Sequence, residues 1–582
     1  MTLKIPLAQY LFTRLHQLNC RSIHGVPGDF FLRALDHTEP SGLRWIGNAN
    51  ELCAGYAADG YARAGWQHNL TRRTAPRCDA VFTTYGVGEL SAINAIAGAW
   101  AENVPVVHLV GTPAQKLWRE KKLIHHSPGD GRMGIYAEMA KKITCAQADL
   151  QEASSAEEAG RMFDEVLEEC VMQSKPGYVQ LPSDMCEMPV SAAGLKQDLL
   201  MYEDEEDVWQ EKEEQEMAAH VLKQLELAKR PLIIADGMAY GNGSAPLINE
   251  LVKLTGIPCT SLTSGKGIIN EDAESWLGTM AGPTEHSTNA DLVLLFGPIL
   301  ADTNTAGWTA VPDPDVTISF DRDTIRLGDR QTFPLRGESV LLNLVAMLRN
   351  RPAEPLSKPV ATRPPASLAP TPSTSITQDT FWPRMSAFIL SNDTVLFANG
   401  TPLIGSRDMT LPPSTQVIAS PIWCSIGQML PCAQGIAAAK QDLNLPGRTI
   451  LFEGDGSFQV TCQALSDIIR YKLDVTIFII NNRGYTYERW LNGMEAEYND
   501  VPAWEYTRFA EVFGAKVDDP AYPVYSEQVE TWKELEGLLR DPAAGDGKGL
   551  KVVEVVMAPE DVPEKSKPGL RRGSKALDSS AM

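Results

Sequence analysis

Apolar positions in this chain come as short, largely uninterrupted runs. Val104–Val110, Pro231–Ala235, Asp291–Phe296, Thr449–Phe452 and Val475–Ile480 are all of strand length. Between them lie segments with helical spacing, such as Phe458–Tyr471 with Ala464, Leu465, Ile468 and Ile469 on one face. Continuous apolar strands suit parallel sheets covered on both faces. The pattern predicts an α/β protein built from doubly wound parallel sheets. In such sheets ligands gather beyond the carboxyl ends of the strands, so the loops that follow strands are the ones to read for chemistry.

The pattern breaks twice. Residues 196–217 are an acidic connection that merges into a helix, and residues 351–375 are rich in Pro, Ser and Thr, as in a semi-rigid linker. The expected organisation is therefore an N-terminal domain (1–195), a middle domain (196–350), a linker (351–375) and a C-terminal domain (376–582), each of ordinary domain size.

Composition narrows the partners. The 582 residues carry a formal net charge of −22. Such a surface repels nucleic acid and anionic lipid, so neither is expected as a partner. The ten cysteines form no CxxC pair, which signals neither a zinc knuckle nor a redox motif. The first nineteen residues read as an amphipathic helix and not as a signal peptide. No apolar run is long enough to span a bilayer. The Asn69-Leu70-Thr71 sequon then reads as chance, and the expected location is the cytoplasm.

The most informative segment runs from Thr449 to Glu488. A strand ends in Glu453-Gly454-Asp455-Gly456-Ser457, a helical stretch follows, and a second strand ends in Asn481-Asn482-Arg483-Gly484. Mg²⁺ prefers hard oxygen ligands and commonly keeps substrate phosphates among them. Asp455 can supply a carboxylate, Asn482 an amide oxygen and Gly484 a carbonyl. Gly454 and Gly456 permit close backbone approach, and the helix N-terminus after them offers free N–H groups to phosphate. Alone, the first motif is a surface turn and the second a strand cap. Their helix-length separation across two strands argues for one site.

This segment resembles the signature of thiamine-diphosphate enzymes, a Gly-Asp-Gly followed some two dozen residues later by Asn-Asn. The rest of the chain is similar to the 2-oxo-acid decarboxylases of pyruvate decarboxylase type. Gly47-Asn48-Ala49-Asn50-Glu51 opens a helix where the family places the carboxylate that activates the cofactor. His24 to Phe30 resembles its G-x-P-G-D-F segment, with Asp29. His125-His126 resembles its paired histidines, and Glu488 its catalytic glutamate. Thr84–Ser91 resembles its cofactor-facing loop.

The resemblance implies three domains, namely pyrimidine-binding, middle and diphosphate-binding, with thiamine diphosphate and Mg²⁺ as cofactors. It implies Glu51, Asp29, His125, His126 and Glu488 as catalytic residues. Cofactor contacts would come from Glu51, from Asn399-Gly400-Thr401, from Cys424 and Ile426, from Gly454 to Ser457, and from Asn482, Gly484 and Tyr485. Ile426 would prop the cofactor in its bent form. Asp455, Asn482 and the Gly484 carbonyl would hold the metal. The implied reaction is non-oxidative decarboxylation of a 2-oxo acid to an aldehyde and CO₂ through a thiamine ylide and enamine, the hard chemistry being the cofactor's. The two half-sites would meet across a subunit interface, making a homodimer the minimal active unit, paired into a homotetramer.

Some positions depart from the family. Residues 64–79 lengthen a connection. Cys424 stands where Gly is common, and Tyr487 where a small aliphatic residue is common. Pro402 and Leu403 replace smaller residues, and Met238 replaces a cysteine linked to activation. These changes bear on the substrate space. Two rival readings use the same cofactor: a carboligase forming a hydroxyketone, and a cofactor-binding paralogue without catalysis. A nicotinamide dehydrogenase is poorly supported, since no GxGxxG follows an early strand.

Overall fold

The computed structural model describes residues 3–64, 78–199, 206–351, 374–516 and 519–571. Most of the 64–79 insertion, most of the 351–375 linker, residues 200–205 of the acidic connection and the tail from 572 lie outside these residues.

Each apolar run becomes a buried strand. The N-terminal sheet contains β1 (Ser22–Gly25), β2 (Arg44–Gly47), β3 (Asp79–Thr84), β4 (Val106–Thr112), β5 (Ala146–Asp149) and β6 (Gly177–Pro182). Its order is β2-β1-β3-β4-β6-β5, all parallel. The middle sheet contains β7 (Pro231–Ala235), β8 (Cys259–Ser261), β9 (Trp276–Thr279), β10 (Leu292–Phe296), β11 (Thr317–Phe320), β12 (Ile325–Leu327) and β13 (Gln331–Phe333), in the order β9-β8-β7-β10-β11-β12-β13. Here the all-parallel expectation needs refinement, because β12 and β13 join one edge antiparallel. They are three residues each and carry polar side chains, so no apolar run announced them.

The C-terminal sheet contains β14 (Thr394–Phe397), β15 (Gln416–Ile418), β16 (Thr449–Gly454), β17 (Val475–Asn481), β18 (Val524–Val529) and β19 (Leu550–Val556). Its order is β15-β14-β16-β17-β19-β18, again all parallel.

In the two outer sheets the strand order switches direction between β1 and β3 and between β14 and β16. A crevice opens at such a reversal, because successive connections leave toward opposite faces. Into the first run the loops after β1, β2 and β3, and into the second the loops after β14, β15, β16 and β17.

Three helices bring these crevices into one framework. Helix α1 (Leu7–Gln17) buries one face on the N-terminal sheet, as its amphipathic pattern requires. Helix α2 (Glu51–Arg63) begins at Asn50, whose side chain accepts from the Cys53 N–H at 2.8 Å. From Cys53 onward it is buried on every side, with Ala and Gly at six of those positions. That small-residue surface lets it lie against helix α5 (Met429–Leu443) of the C-terminal domain, labelled after α3 (Val87–Ala101) and α4 (Thr401–Gly405). A Cβ on Gly60 would fall 2.1 Å from the Cys432 carbonyl oxygen, and one on Gly435 would fall 1.8 Å from that of Ala57. The helices cross backbone to backbone, and Ile46, Cys53 and Tyr61 join the core of the C-terminal domain.

Candidate active site

Glu51 is the first residue of α2, where a carboxylate is favoured by the helix dipole. Its loop is fastened by the other outer domain. Asn48 Nδ2 donates to Asp467 Oδ2 and Gln434 Oε1, both at 3.2 Å, and the Ala49 N–H donates to Asp467. Burial raises the Glu51 pKa, opposed by a hydrogen bond from Ser91. Gly88 of the β3–α3 loop passes beside it, leaving only 3.0 Å between a built Cβ and Glu51 Oε1.

Asp29, His125 and His126 converge from loops almost a hundred residues apart. His125 Nε2 lies 2.8 Å from Asp29 Oδ2, and both side chains are half exposed. The His125 ring stacks on Phe30 with centroids 4.9 Å apart, and His126 stands edge-on to it at 4.7 Å. Asp29 is therefore paired to a histidine and is not a helix cap. His126 has φ of +67°, and its carbonyl accepts from Tyr136 Oη at 3.2 Å. Gly86 makes this approach possible, since a Cβ there would lie 2.2 Å from the His126 carbonyl oxygen. Glu89, which sequence reading left without a role, holds Gly86 in turn. Its carboxylate accepts from the Gly86 N–H at 2.7 Å and from Tyr178 Oη at 2.6 Å.

The second half-site lies at the C-terminal crevice. Asp455 opens helix α6 (Asp455–Thr461), which is followed by α7 (Ala464–Arg470). The single helix expected over Phe458–Tyr471 is thus two. Its first half is tied to the loop after β15: Thr461 Oγ1 donates to the Gly427 carbonyl at 2.7 Å, and the Gly427 N–H donates to Ser457 Oγ at 2.8 Å. Asp455 Oδ1 accepts from Gly456 N–H at 2.7 Å and Oδ2 from Gly484 N–H at 2.9 Å, so the two motifs predicted to form one site do touch. Burial pushes the Asp455 carboxyl up to about 6. Asn482 is buried beside it. Gly484 has φ of +133° and no room for a Cβ, which would lie 2.1 Å from the Asn499 carbonyl oxygen. Tyr485 covers Gly456, and Glu488 stands exposed on helix α8 (Thr486–Leu491).

Asn399, Gly400 and Thr401 follow β14. Both polar side-chain atoms of Asn399 are buried without a partner, and so are those of Gln428. Buried amides are rarely left unpaired, so Asn399, partly exposed in the crevice, fits a polar ligand. Ile426 is 38% exposed in the same crevice. Cys424 has φ of +49°, which explains why glycine suits that place. The loop 420–424 is held by Glu102 at the end of α3, whose Oε1 accepts from Ser420 Oγ, Ile422 N–H and Trp423 N–H, each at 3.0 Å.

Sequence reasoning passed over Glu89, Glu102, Glu453 and Asp467. Glu453 is fully buried, bonds to Ser457 and has its carboxyl pushed up to about 8 by burial. An acid within the apolar run Thr449–Gly454 was a legible signal. The others look like ordinary surface acids in sequence.

Comparison with known proteins agrees with this geometry. Residues 5–142 match the thiamine pyrophosphate enzyme N-terminal TPP binding domain, residues 218–339 the central domain, and residues 403–555 the C-terminal TPP binding domain. The pyruvate decarboxylase of Aspergillus parasiticus is 39% identical over 575 residues, covering 96% of both chains. That of Aspergillus fumigatus is 36% identical, covering 96% of this chain and 95% of its own. Pyruvate decarboxylase isozyme 1 of Saccharomyces cerevisiae is 33% identical, covering 96% of this chain and 97% of its own. This chain belongs to the thiamine pyrophosphate enzyme family, in its pyruvate decarboxylase branch. The N-terminal match takes in the crevice of Glu51, Asp29 and the paired histidines. The C-terminal match takes in the crevice of Asp455, Asn482 and Gly484.

Proposed function

We propose that the protein decarboxylates a 2-oxo acid without oxidation, giving an aldehyde and CO₂, with thiamine diphosphate and Mg²⁺ as its cofactors. One observation supports the reading above others. Two crevices carry complementary halves of one chemistry, an acid–histidine cluster with Glu51 and a carboxylate–amide pocket with orphaned amides.

Asp455, Asn482 and the Gly484 carbonyl would hold Mg²⁺, and the start of α6 would face the diphosphate. Asn399, Gly400, Thr401, Cys424, Tyr485, Ser457 and the two glycines flanking Asp455 would line the cofactor cleft, with Ile426 as its prop. Bound there, thiamine diphosphate supplies a carbon nucleophile and an electron sink. Glu51, half-buried, would hydrogen-bond the pyrimidine ring and keep that bond away from competing water. Asp29, His125, His126 and Glu488 orient the substrate carboxylate and move protons at its former keto carbon.

The active unit is a homodimer, pairing to a tetramer. Glu51 bonds within its own domain, and the surfaces beside the two crevices expose Val87 and Leu90 on one side and Ile422, Ile426 and Val460 on the other. A second copy would cover them. The ten cysteines are free thiols and, among the described residues, no helix is long and apolar enough to cross a membrane. These features favour a cytoplasmic setting.

The test is CO₂ release from a panel of straight, branched and aromatic 2-oxo acids with both cofactors present. Release from at least one, lowered about 100-fold or more by Glu51→Gln, is expected. Silence across the panel would refute the reading. Adding an aldehyde and analysing products separates decarboxylation from carboligation.

A further inference from the structure

A buried guanidinium without a carboxylate sits where the middle and C-terminal domains meet. Arg407 lies in the last turn of the helical stretch that starts at the Gly400-Thr401 loop, and it is 9% exposed. Its Nε donates to Thr263 Oγ1 at 2.7 Å and its Nη2 to the Thr303 carbonyl at 3.0 Å. Among the described residues, Nη1 donates to nothing and no acidic group forms an ion pair with it. Its neighbour Asp408 is engaged by Lys565. Burial lowers the Arg407 pKa and outweighs the opposing pull of Tyr487 and Asp408.

Tyr487 lies beside it. The Tyr487 Oη is buried and makes no hydrogen bond of normal geometry, and the groups that act on it are Arg407, Ser566, Glu488 and Asp408. Burial keeps the phenol neutral well past physiological pH, so it offers a donor and not a counter-charge. Both residues connect to elements of the reaction cleft. Tyr487 precedes Glu488 on α8, and Thr303 reaches from the middle domain to the Pro421 carbonyl and to Cys424 in the loop after β15.

A buried charge is costly unless it is paired and hydrogen-bonded. As a strut between domains Arg407 would need only the two bonds it makes. It carries five donors in a planar fork suited to carboxylates, and a neutral phenol alongside adds a sixth. We propose that Arg407 and Tyr487 form a subsite for a carboxylate anion at the edge of the cleft. That carboxylate is either the distal group of a dicarboxylic 2-oxo acid or a separate small carboxylate ion. The first source rests on the decarboxylase reading; the binding claim does not.

The experiment uses the full chain with both cofactors. Titration calorimetry with propionate and with glutarate, neither of which can be decarboxylated, reads binding directly. Wild type binds at least one, Arg407→Met weakens it by about tenfold or more, Arg407→Lys restores part, and Tyr487→Phe weakens it while keeping the packing. Two substrates then separate the sources. If the anion is the substrate's own, Arg407→Met lowers kcat/KM for 2-oxopentanedioate about tenfold or more, and for 2-oxobutanoate less than about threefold. If it is a separate ion, propionate alters the 2-oxobutanoate rate in wild type and leaves the Arg407→Met rate unchanged. The subsite is overturned if both anions bind wild type and Arg407→Met alike, or bind neither. If no CO₂ leaves any 2-oxo acid, the decarboxylase reading falls while the calorimetric result still decides the subsite.

Discussion

Glu89 shows what a single buried residue contributes here. It lies between Gly86 and Tyr178 and is 3% exposed, and desolvation raises its pKa from 4.5 to about 7 despite two hydrogen bonds. Between those two values the native chain holds a proton that the unfolded chain has released. Native stability therefore falls as pH rises through that window, by up to about 3 kcal/mol from this group. Glu89→Gln keeps an acceptor for the Gly86 N–H and removes the titration. Its melting temperature should drop less between pH 5 and pH 8 than that of the wild type, and equal drops would show that Glu89 stays ionised in the native state. Gly86 itself is expected to be intolerant. Gly86→Ala combines a positive φ with a clash against the His126 carbonyl. It should lower kcat by displacing the paired histidines, and weaken cofactor binding less, because the loops proposed to hold the diphosphate lie in the other crevice. Cofactor-quenched tryptophan fluorescence beside turnover would check this.

At the scale of elements, the crossing of α2 and α5 carries the connection between the outer domains. Gly435→Ala places a methyl group 1.8 Å from the Ala57 carbonyl oxygen, and backbone cannot yield as a side chain can. Overpacking of this kind costs about 1–3 kcal/mol, to be read as a lower denaturant midpoint. An unchanged midpoint would mean the helices can separate freely. Element identity was largely readable from the chain. Val475–Ile480 and Thr449–Phe452 were apolar without alternation because both sheet faces are covered. The segment from Gly47 to Glu51 and the apolar face of Leu7–Gln17 announced their helices. Elements defined by tertiary ties were not readable. The split between α6 and α7 depends on Thr461 and Ser457 bonding to Gly427, and the antiparallel β12 and β13 pair at an edge with little apolar surface of their own.

At the scale of the molecule, the homodimer proposed above would supply the two crevices of each site from different copies. A mixture of the inactive variants Glu51→Gln and Asp455→Ala, unfolded and refolded together, tests this. In a mixed dimer one site would carry both substitutions and the other neither, so about a quarter of wild-type activity should return. No recovery would place both halves in a single chain. The candidate site was legible wherever its residues were contiguous or carried a family motif: Asp455 with Asn482 and Gly484, Glu51 at the start of its helix, and the His125-His126 pair. It was illegible where function depends on a distant neighbour. Glu102 and Asp467 resemble any exposed acid in a chain of net charge −22, yet each holds a loop of the other outer domain.

The sequence by itself determined the α/β class, the strand-end loops that carry the chemistry and the cofactor motifs, because each of these is written in local periodicity and short spacing. Only the tertiary structure decided which loops meet, which glycines lie against a carbonyl, and which ionisable groups are sealed from water, Arg407 and Glu453 among them. Burial and pairing arise between residues far apart in the chain, and no local pattern of side chains encodes them.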